Sequence, residues 1–113
     1  MKQQELADGV VMRYLNHSDA LTVSRIEFEA GASAGLHEHP HEEVDYALEG
    51  RFEVQMAGGR YVLTKGQSVR IPANTLHGIR NLAGEAALLC VWPGPDTKAP
   101  SAARSEPKAR ARA

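Results

Sequence analysis

Residues 31–50 decide the fold of this chain, and they read Gly31-Ala-Ser-Ala-Gly-Leu-His37-Glu-His39-Pro-His41-Glu-Glu43-Val-Asp-Tyr-Ala-Leu-Glu-Gly50. A second stretch further along reads Gly66-Gln-Ser-Val-Arg-Ile-Pro72-Ala-Asn74-Thr-Leu-His77-Gly-Ile-Arg-Asn81. Four of the five histidines fall in these two stretches. Imidazole and carboxylate groups are ligands that divalent transition metals prefer. Their strand-like spacing, punctuated by glycine, predicts one mononuclear metal site built from two distant segments of a barrel.

The length and composition indicate one domain of ordinary globular character. A chain of 113 residues is long enough for one hydrophobic core and too short for two. Cys90 is the only cysteine, so no internal disulfide can form, and the cytoplasm is the expected location. The sequence has no apolar run that could span a membrane, and its first residues do not read as a signal peptide.

Charge divides the chain into a predicted barrel, residues 1–92, and a predicted flexible tail, residues 93–113. The tail is rich in Pro, Ala and Ser and carries five basic and two acidic residues. Such a segment cannot bury enough apolar surface to offset its ordering entropy. Its basic end is either a nucleic-acid or membrane contact or, as we favour, a solvated terminus. The rest carries eight basic and twelve acidic residues, which argues against a nucleic-acid-binding face.

Short alternating runs separated by Gly, Pro and Asn predict an antiparallel β-sandwich or barrel. No stretch shows sustained helical periodicity. A tight-turn signal, Ala57-Gly58-Gly59, separates two of the predicted strands. The predicted strands are Leu21–Phe28, Val44–Leu48, Phe52–Met56, Arg60–Leu63, Ser68–Ile71 and Ala87–Trp92.

Strand geometry brings the candidate metal ligands together. Side chains alternate between the faces of a strand, so His37 and His39 project to the same side and can reach one ion. Pro40 then interrupts the strand, and Glu43 opens the next one, where it can turn back toward the same ion. His77, beyond the Pro72 turn, completes the set from another strand. Three imidazoles and one carboxylate leave one or two positions open on a six-coordinate metal, as a catalytic ion requires.

The spacing of these residues resembles the two signature motifs of the cupin superfamily. The first motif is Gly31, five residues, His37-x-His39, three residues, Glu43, six residues and Gly50. The second motif is Gly66, five residues, Pro72-x-Asn74, two residues, His77, three residues and Asn81. Only Asn74 departs from the pattern, since the family usually has glycine there. Asparagine tolerates left-handed backbone better than other residues do, so we expect this turn to form.

The resemblance covers roughly residues 20–92 and has specific consequences. It implies an all-β, single-domain antiparallel jelly-roll barrel, commonly paired as a homodimer. It also implies that His37, His39, Glu43 and His77 hold one divalent transition metal ion per subunit, with iron, manganese, nickel and zinc all open. The expected partner is a small-molecule substrate or ligand.

Two further polar side chains lie next to the predicted ligands. His41 shares the parity of His37 and His39 but follows a proline, so it is an alternative ligand, a proton donor at the mouth or an exposed residue. Asp45 shares the parity of Glu43. It lies either inside the barrel, as a general base or a partner for a ligand histidine, or at the barrel rim.

Arg25 and Arg70 each interrupt an otherwise alternating apolar strand. An inward arginine would clamp the carboxylate of an acidic substrate, whereas an outward one is an ordinary surface charge. Other chemistry-bearing residues have simpler interpretations. Cys90 is expected to be a buried small hydrophobe, Trp92 a core residue, Tyr46 a residue facing a partner subunit, and His17 a surface residue.

Fold and metal do not fix the reaction. The run from His37 to Phe52 is similar to that of small pectin-degradation cupins, which promote ring opening of 4,5-unsaturated monouronates to linear keto acids. Those proteins often carry glutamine where this chain has Glu43. The resemblance implies a metal-dependent enzyme for a small polar or acidic molecule. The alternatives are a small iron, manganese or nickel cupin dioxygenase and a non-catalytic sensing or binding module.

Overall fold

A computed structural model describes residues 3–94 of the chain. Within that range the polypeptide forms ten strands and no helix. The strands are β1 (Gln3–Ala7), β2 (Val10–His17), β3 (Leu21–Phe28), β4 (Ser33–His37), β5 (Glu43–Glu49), β6 (Arg51–Met56), β7 (Gly59–Thr64), β8 (Ser68–Ile71), β9 (His77–Asn81) and β10 (Ala86–Pro93). The six strands predicted from the sequence are all present. Strands β4 and β9 were expected around the candidate ligands but without bounds, and β1 and β2 were not predicted.

The strands form two antiparallel sheets, which confirms the expected jelly-roll barrel. The larger sheet has the order β1-β2-β3-β10-β5-β8, and the smaller has the order β4-β9-β6-β7. Apolar side chains from both sheets meet between them. Phe28 of the larger sheet and Phe52 of the smaller sheet pack edge to face, with ring centroids 5.1 Å apart. Sheet-on-sheet burial of this kind supplies most of the driving force for such a fold.

Two turns within the two motifs have backbone angles that explain the residue found there. Gly50 has a φ of +89°, and a Cβ at this position would lie 2.5 Å from the Cβ of Ala86. Only glycine fits there without a shift of the backbone. Asn74 has a φ of +57°, so asparagine does form the left-handed turn where glycine was expected.

The predictions for the tail, the membrane and the partner subunit are tested by the structure only in part. The predicted tail, residues 93–113, lies outside the described residues apart from Pro93, which ends β10, and Gly94. The described part of the chain contains no helix that is long and apolar enough to cross a membrane. Val44 and Tyr46 lie exposed on the outer face of the larger sheet. The expected homodimer stays a prediction.

Candidate metal centre

Backbone pairing places two of the candidate ligands side by side. His37 ends β4 and His77 begins β9, and the two residues are directly opposite each other in the antiparallel register. Directly opposite residues share a face of the sheet. Their ring centroids are therefore only 4.4 Å apart.

The third histidine reaches the same place from a loop. His39 lies between β4 and β5, and its ring centroid is 5.0 Å from that of His77. The backbone N–H of Asn74 donates a hydrogen bond of 2.7 Å to the carbonyl oxygen of His39. This bond ties the loop before β5 to the loop before β9, so the two motifs hold each other in position.

All three imidazoles are oriented in the same way. Each Nδ1 contacts a backbone carbonyl oxygen two residues away: Gly35 for His37 at 2.8 Å, His41 for His39 at 2.9 Å, and Thr75 for His77 at 2.7 Å. A carbonyl oxygen only accepts, so each Nδ1 carries a proton and each Nε2 is directed away from its own backbone. In the neutral ring this leaves a lone pair on Nε2, whereas Nε2 of His39 donates a hydrogen bond when it faces the ionised Glu43 carboxylate. One ring nitrogen from each histidine lies within 4.8 Å of the others. In metal-binding histidines the second ring nitrogen usually donates to a carbonyl or carboxylate, which orients the ring toward the ion. The three histidines here have that arrangement.

Glu43 adds a carboxylate to the three imidazoles. It opens β5 and is only 8% exposed. Its Oε1 lies 2.8 Å from Nε2 of His39 and 4.0 Å from Nε2 of His77. Burial opposes ionisation of Glu43, but the hydrogen bond to His39 and the nearby imidazoles outweigh it and lower its pKa. Burial alone would lower the pKa of His39, and the bond and charge of Glu43 outweigh that effect and raise it.

His77 differs from His39 because burial dominates. Its Nε2 is buried and has no hydrogen-bond partner among the described residues. Burial lowers the pKa of His77 to about 4, and the opposing attraction of Glu43 is too weak to restore it. His77 is therefore a neutral imidazole at neutral pH, with a lone pair that faces the other ring nitrogens. A buried polar atom without a partner calls for an explanation such as an ion or a water.

This donor set fits a single metal ion. Three imidazole nitrogens and one carboxylate match the ligand preferences of iron, manganese, nickel and zinc. The buried Nε2 of His77 and the negative charge of Glu43 both gain a partner when a cation lies among them. The arrangement does not distinguish between these metals.

A second buried group lies behind Glu43. Asp45 is fully buried, and neither of its carboxyl oxygens has a hydrogen-bond partner in the described part of the chain. Burial and the charge of Glu43 raise the pKa of Asp45 well above its usual value. The Cys90 thiol donates to Oε2 of Glu43 at 3.6 Å, and burial likewise raises the pKa of that thiol. Of the two positions considered for Asp45, the structure has the one inside the barrel.

His41 lies at the site and is not simply exposed. Its ring stacks on that of His39, with centroids 4.1 Å apart and planes 5° from parallel. One ligand atom each of His39, His41 and Glu43 lie within 4.8 Å of one another. The roles of alternative ligand and of proton donor both remain compatible with this position.

The two arginines point away from the site, so the inward alternative is wrong for both. Arg25 is paired with Leu89 on the outer face of the larger sheet, and its Nε bonds to Glu27 at 3.0 Å. Arg70 is also exposed, and its guanidinium bonds to Glu42 at 2.8 Å. The physical reason is register: the inward positions on these strands belong to the alternate residues, such as Ile26 and Ile71.

The sequence predicted Trp92 only as a core residue, but the structure has it in the candidate site. Trp92 is buried and lines the same narrow cavity as His39, Glu43 and His77. It shares the inward parity of Cys90 on β10, and that parity was the only available signal. His17, by contrast, lies exposed at the end of β2 as expected.

Comparison with known proteins identifies the class to which this site belongs. Residues 24–92 match the sequence model of the cupin domain family, and the chain belongs to that family. It is 30% identical over 87 residues to the pectin degradation protein KdgF of Dickeya dadantii, with 76% of this chain and 79% of that protein covered.

Solved structures agree with this assignment. An RmlC-like cupin from Shewanella frigidimarina superposes with a TM-score of 0.77 at 27% identity, covering 84% of this chain and 85% of that one. The structure of KdgF from a Halomonas species gives the same TM-score at 24% identity, with coverage of 83% and 86%. At that identity the likeness to the Halomonas protein shows the fold alone.

Proposed function

We propose that this protein is a metal-dependent cupin enzyme that isomerises or opens the ring of a small sugar acid. The observation that carries the proposal is the convergence of three imidazole nitrogens within 4.8 Å of one another, beside the buried Glu43 carboxylate. The relationship to a pectin degradation protein supports sugar acids as the substrate class. The reaction type rests on the sequence resemblance of the His37–Phe52 run.

In this proposal His37, His39, His77 and Glu43 hold one divalent ion. When bound, such an ion supplies a Lewis acid that polarises a carboxylate or hydroxyl oxygen of the substrate. The four side chains keep their orientation through the three Nδ1 contacts to carbonyl oxygens and the Cys90 contact to Glu43. The protein therefore provides a preformed site, which costs little reorganisation on binding.

Asp45 and His41 are the groups proposed to move protons. Asp45 lines the cavity with both carboxyl oxygens unpartnered among residues 3–94, and it is the group proposed to exchange a proton with a substrate hydroxyl. His41, stacked on His39, is only partly buried. Its proposed role is to pass a proton toward the mouth of the cavity. General acid–base catalysis needs a group within hydrogen-bond distance of the substrate and a route for its proton to solvent.

Metal analysis tests the site. Protein purified without added metal is expected to contain one equivalent of iron, manganese, nickel or zinc by elemental analysis. The double variant His37→Ala/His77→Ala is expected to contain none, while the control His17→Ala, at an exposed position, keeps the full equivalent. A double variant that retains a full equivalent would show that the ligands are assigned wrongly.

Activity on an unsaturated monouronate tests the reaction. Ring opening consumes the ultraviolet absorbance of the substrate at the same rate under argon and in air. The Asp45→Asn variant is expected to lose activity and to keep its metal. A full equivalent of metal with no loss of absorbance would reject the sugar-acid reaction and leave the metal site standing.

A dioxygenase is the second candidate, and Glu43 is the observation that favours it. A carboxylate makes the site more anionic than the glutamine that is common in the pectin-degradation cupins, and this suits iron or manganese. Oxygen uptake by the iron-loaded protein, absent with zinc, would support this candidate. Tight binding of a ligand with no turnover would instead indicate a binding module.

A further inference from the structure

The indole N–H of Trp92 is a buried donor whose partner the described residues do not supply. Trp92 is 3% exposed, and its Nε1 has no hydrogen-bond partner within residues 3–94. Buried indole N–H groups usually have a partner, and the exceptions in folded proteins often mark sites that bind a water, an ion or a ligand. This donor therefore points to a function beyond packing.

The indole is fixed beside the candidate metal centre. Its ring lies 5.8 Å from that of His41, which in turn stacks on His39 at 4.1 Å. On another side, Tyr14 contacts the indole edge to face at 6.3 Å. Two aromatic neighbours restrict the rotation of the ring, so the direction of the N–H is set before any ligand arrives.

The cavity next to Trp92 has room for a ligand group of limited size. It measures about 50 Å³ and is lined by the candidate ligands together with apolar side chains such as Met12 and Leu88. A space of that size accepts a water or one oxygen-bearing end of a small molecule. The indole N–H only donates, so the matching group is a carboxylate, carbonyl or hydroxyl oxygen.

We infer that Trp92 is a substrate-positioning residue whose N–H donates a hydrogen bond to an oxygen atom of the bound acid. This inference rests on the proposed function, because the ligand is the small acid assigned to the metal centre. The bond fixes the orientation of the acid relative to His39 and Glu43. It also selects for ligands with an oxygen at that point, since a buried donor without a partner disfavours an analogue that lacks one.

The wild-type protein provides its own reporter, because Trp92 is the only tryptophan in the chain. The probes are D-galacturonate and oxalate, added to the protein loaded with one equivalent of manganese, or of zinc for nuclear magnetic resonance. At saturation we expect a shift of the single indole N–H resonance and a change in tryptophan emission. If neither acid binds, or if binding leaves the indole N–H resonance unmoved, the inference is overturned.

The variant Trp92→Phe removes the N–H and keeps an aromatic ring. We expect about tenfold weaker binding of the probe that binds the wild type, with unchanged metal content. The control Tyr14→Phe alters the other ring in contact with the indole, whose hydroxyl bonds to Gln4, and is expected to bind as the wild type does. Equal affinity of Trp92→Phe and wild type would overturn the inference.

The two proposals fail in different ways. Absence of metal from the purified protein would reject the proposed function by elemental analysis alone. A normal metal content, with normal probe binding by Trp92→Phe, would reject only the role of the indole. Should Trp92→Phe fail to fold, the indole resonance of the wild type still decides the question.

Discussion

Strands β3 and β5 lie in the same sheet but carry opposite patterns on their inner and outer faces. In β3 the inner residues include Ile26 and Phe28, while Arg25 and Glu27 face outward. In β5 the inner residues are Glu43, Asp45 and Ala47, while Val44 and Tyr46 are exposed on the outer face. One strand builds the core in the usual way, and the other places carboxyl groups inside the barrel.

The inward carboxyl groups of β5 are expected to lower the stability of the fold. Burying a carboxyl group is costly unless a partner compensates it. Glu43 has His39 and Cys90 as partners, whereas Asp45 makes no hydrogen bond with the described residues. The outward charges of β3, in contrast, form exposed ion pairs that cost little and contribute little.

The largest expected effect comes from the inner face of β3. Phe28→Ala removes a ring that is 2% exposed and packs against Phe52. Loss of the burial and the cavity left behind are expected to lower the free energy of unfolding by about 3–5 kcal/mol. Urea denaturation of the metal-free protein measures this change. A loss below about 1 kcal/mol would mean that β3 does not carry the core.

On the inner face of β5, removal of a carboxylate should affect the metal more than the fold. Glu43→Ala deletes the anionic candidate ligand and is expected to weaken metal binding by more than about 100-fold. The neighbouring carboxylate of Glu42, which points outward to Arg70, provides the control variant Glu42→Ala. Competition with a chelator measures both affinities. Equal affinities in the two variants would contradict the inward assignment of Glu43.

A substitution at Asp45 tests whether an inward carboxyl group in β5 lowers the stability of the fold. Asp45→Asn keeps the shape of the side chain but removes an ionisable group that is fully buried beside Glu43. We expect the metal-free variant to be more stable by about 1 kcal/mol or more at neutral pH, because folding no longer has to protonate or desolvate a charged carboxylate. Thermal denaturation of both metal-free proteins measures the difference. A variant that is clearly less stable would show that this carboxyl stabilises the fold.

The smallest effect is expected on the outer face of β3. The hydrogen bond from Arg25 lowers the pKa of Glu27 from 4.5, and Arg13 adds to this. The ionised group therefore contributes stability above its unfolded pKa, and that contribution is lost as the pH falls through the lowered folded pKa.

Because Glu27 is partly exposed, Glu27→Gln is expected to cost at most about 0.5 kcal/mol at about pH 7. The cost should shrink at acidic pH, as the pH falls through the lowered folded pKa of Glu27. Urea denaturation at the two pH values checks the sign. A larger loss of stability at the acidic pH would show that the ionised form of Glu27 does not stabilise the fold.

Much of the fold could be predicted from local sequence. Period-two alternation and turn residues located six of the eight strands from Leu21 onward, and the conformational tolerance of asparagine explains the turn at Asn74. Strands β1 and β2 were not predicted. In β2, apolar residues occupy positions on both faces, such as Val10 and Val11, so the alternation that marks a half-buried strand is weak there.

The candidate site was only partly accessible from the sequence. The two motifs grouped His37, His39, Glu43 and His77 as candidate ligands, and one ring nitrogen from each of the three histidines does lie within 4.8 Å of the others. The direction of Arg25 and Arg70, the stacking of His41 on His39 and the unpartnered N–H of Trp92 could not be predicted. The strand register that turns the arginines outward and the packing of Trp92 against His41 and Tyr14 depend on contacts between residues that are distant in sequence.

The sequence by itself determined most of the strands, the turns and the set of candidate ligands, because alternation, glycine punctuation and motif spacing are local properties. Only the tertiary structure decided which parity of each strand faces the barrel interior. A shift of one residue exchanges the two faces of a strand, and the register that prevents it is set by pairing with neighbours such as β10. For that reason the same alternation produces a core in β3 and a polar site in β5.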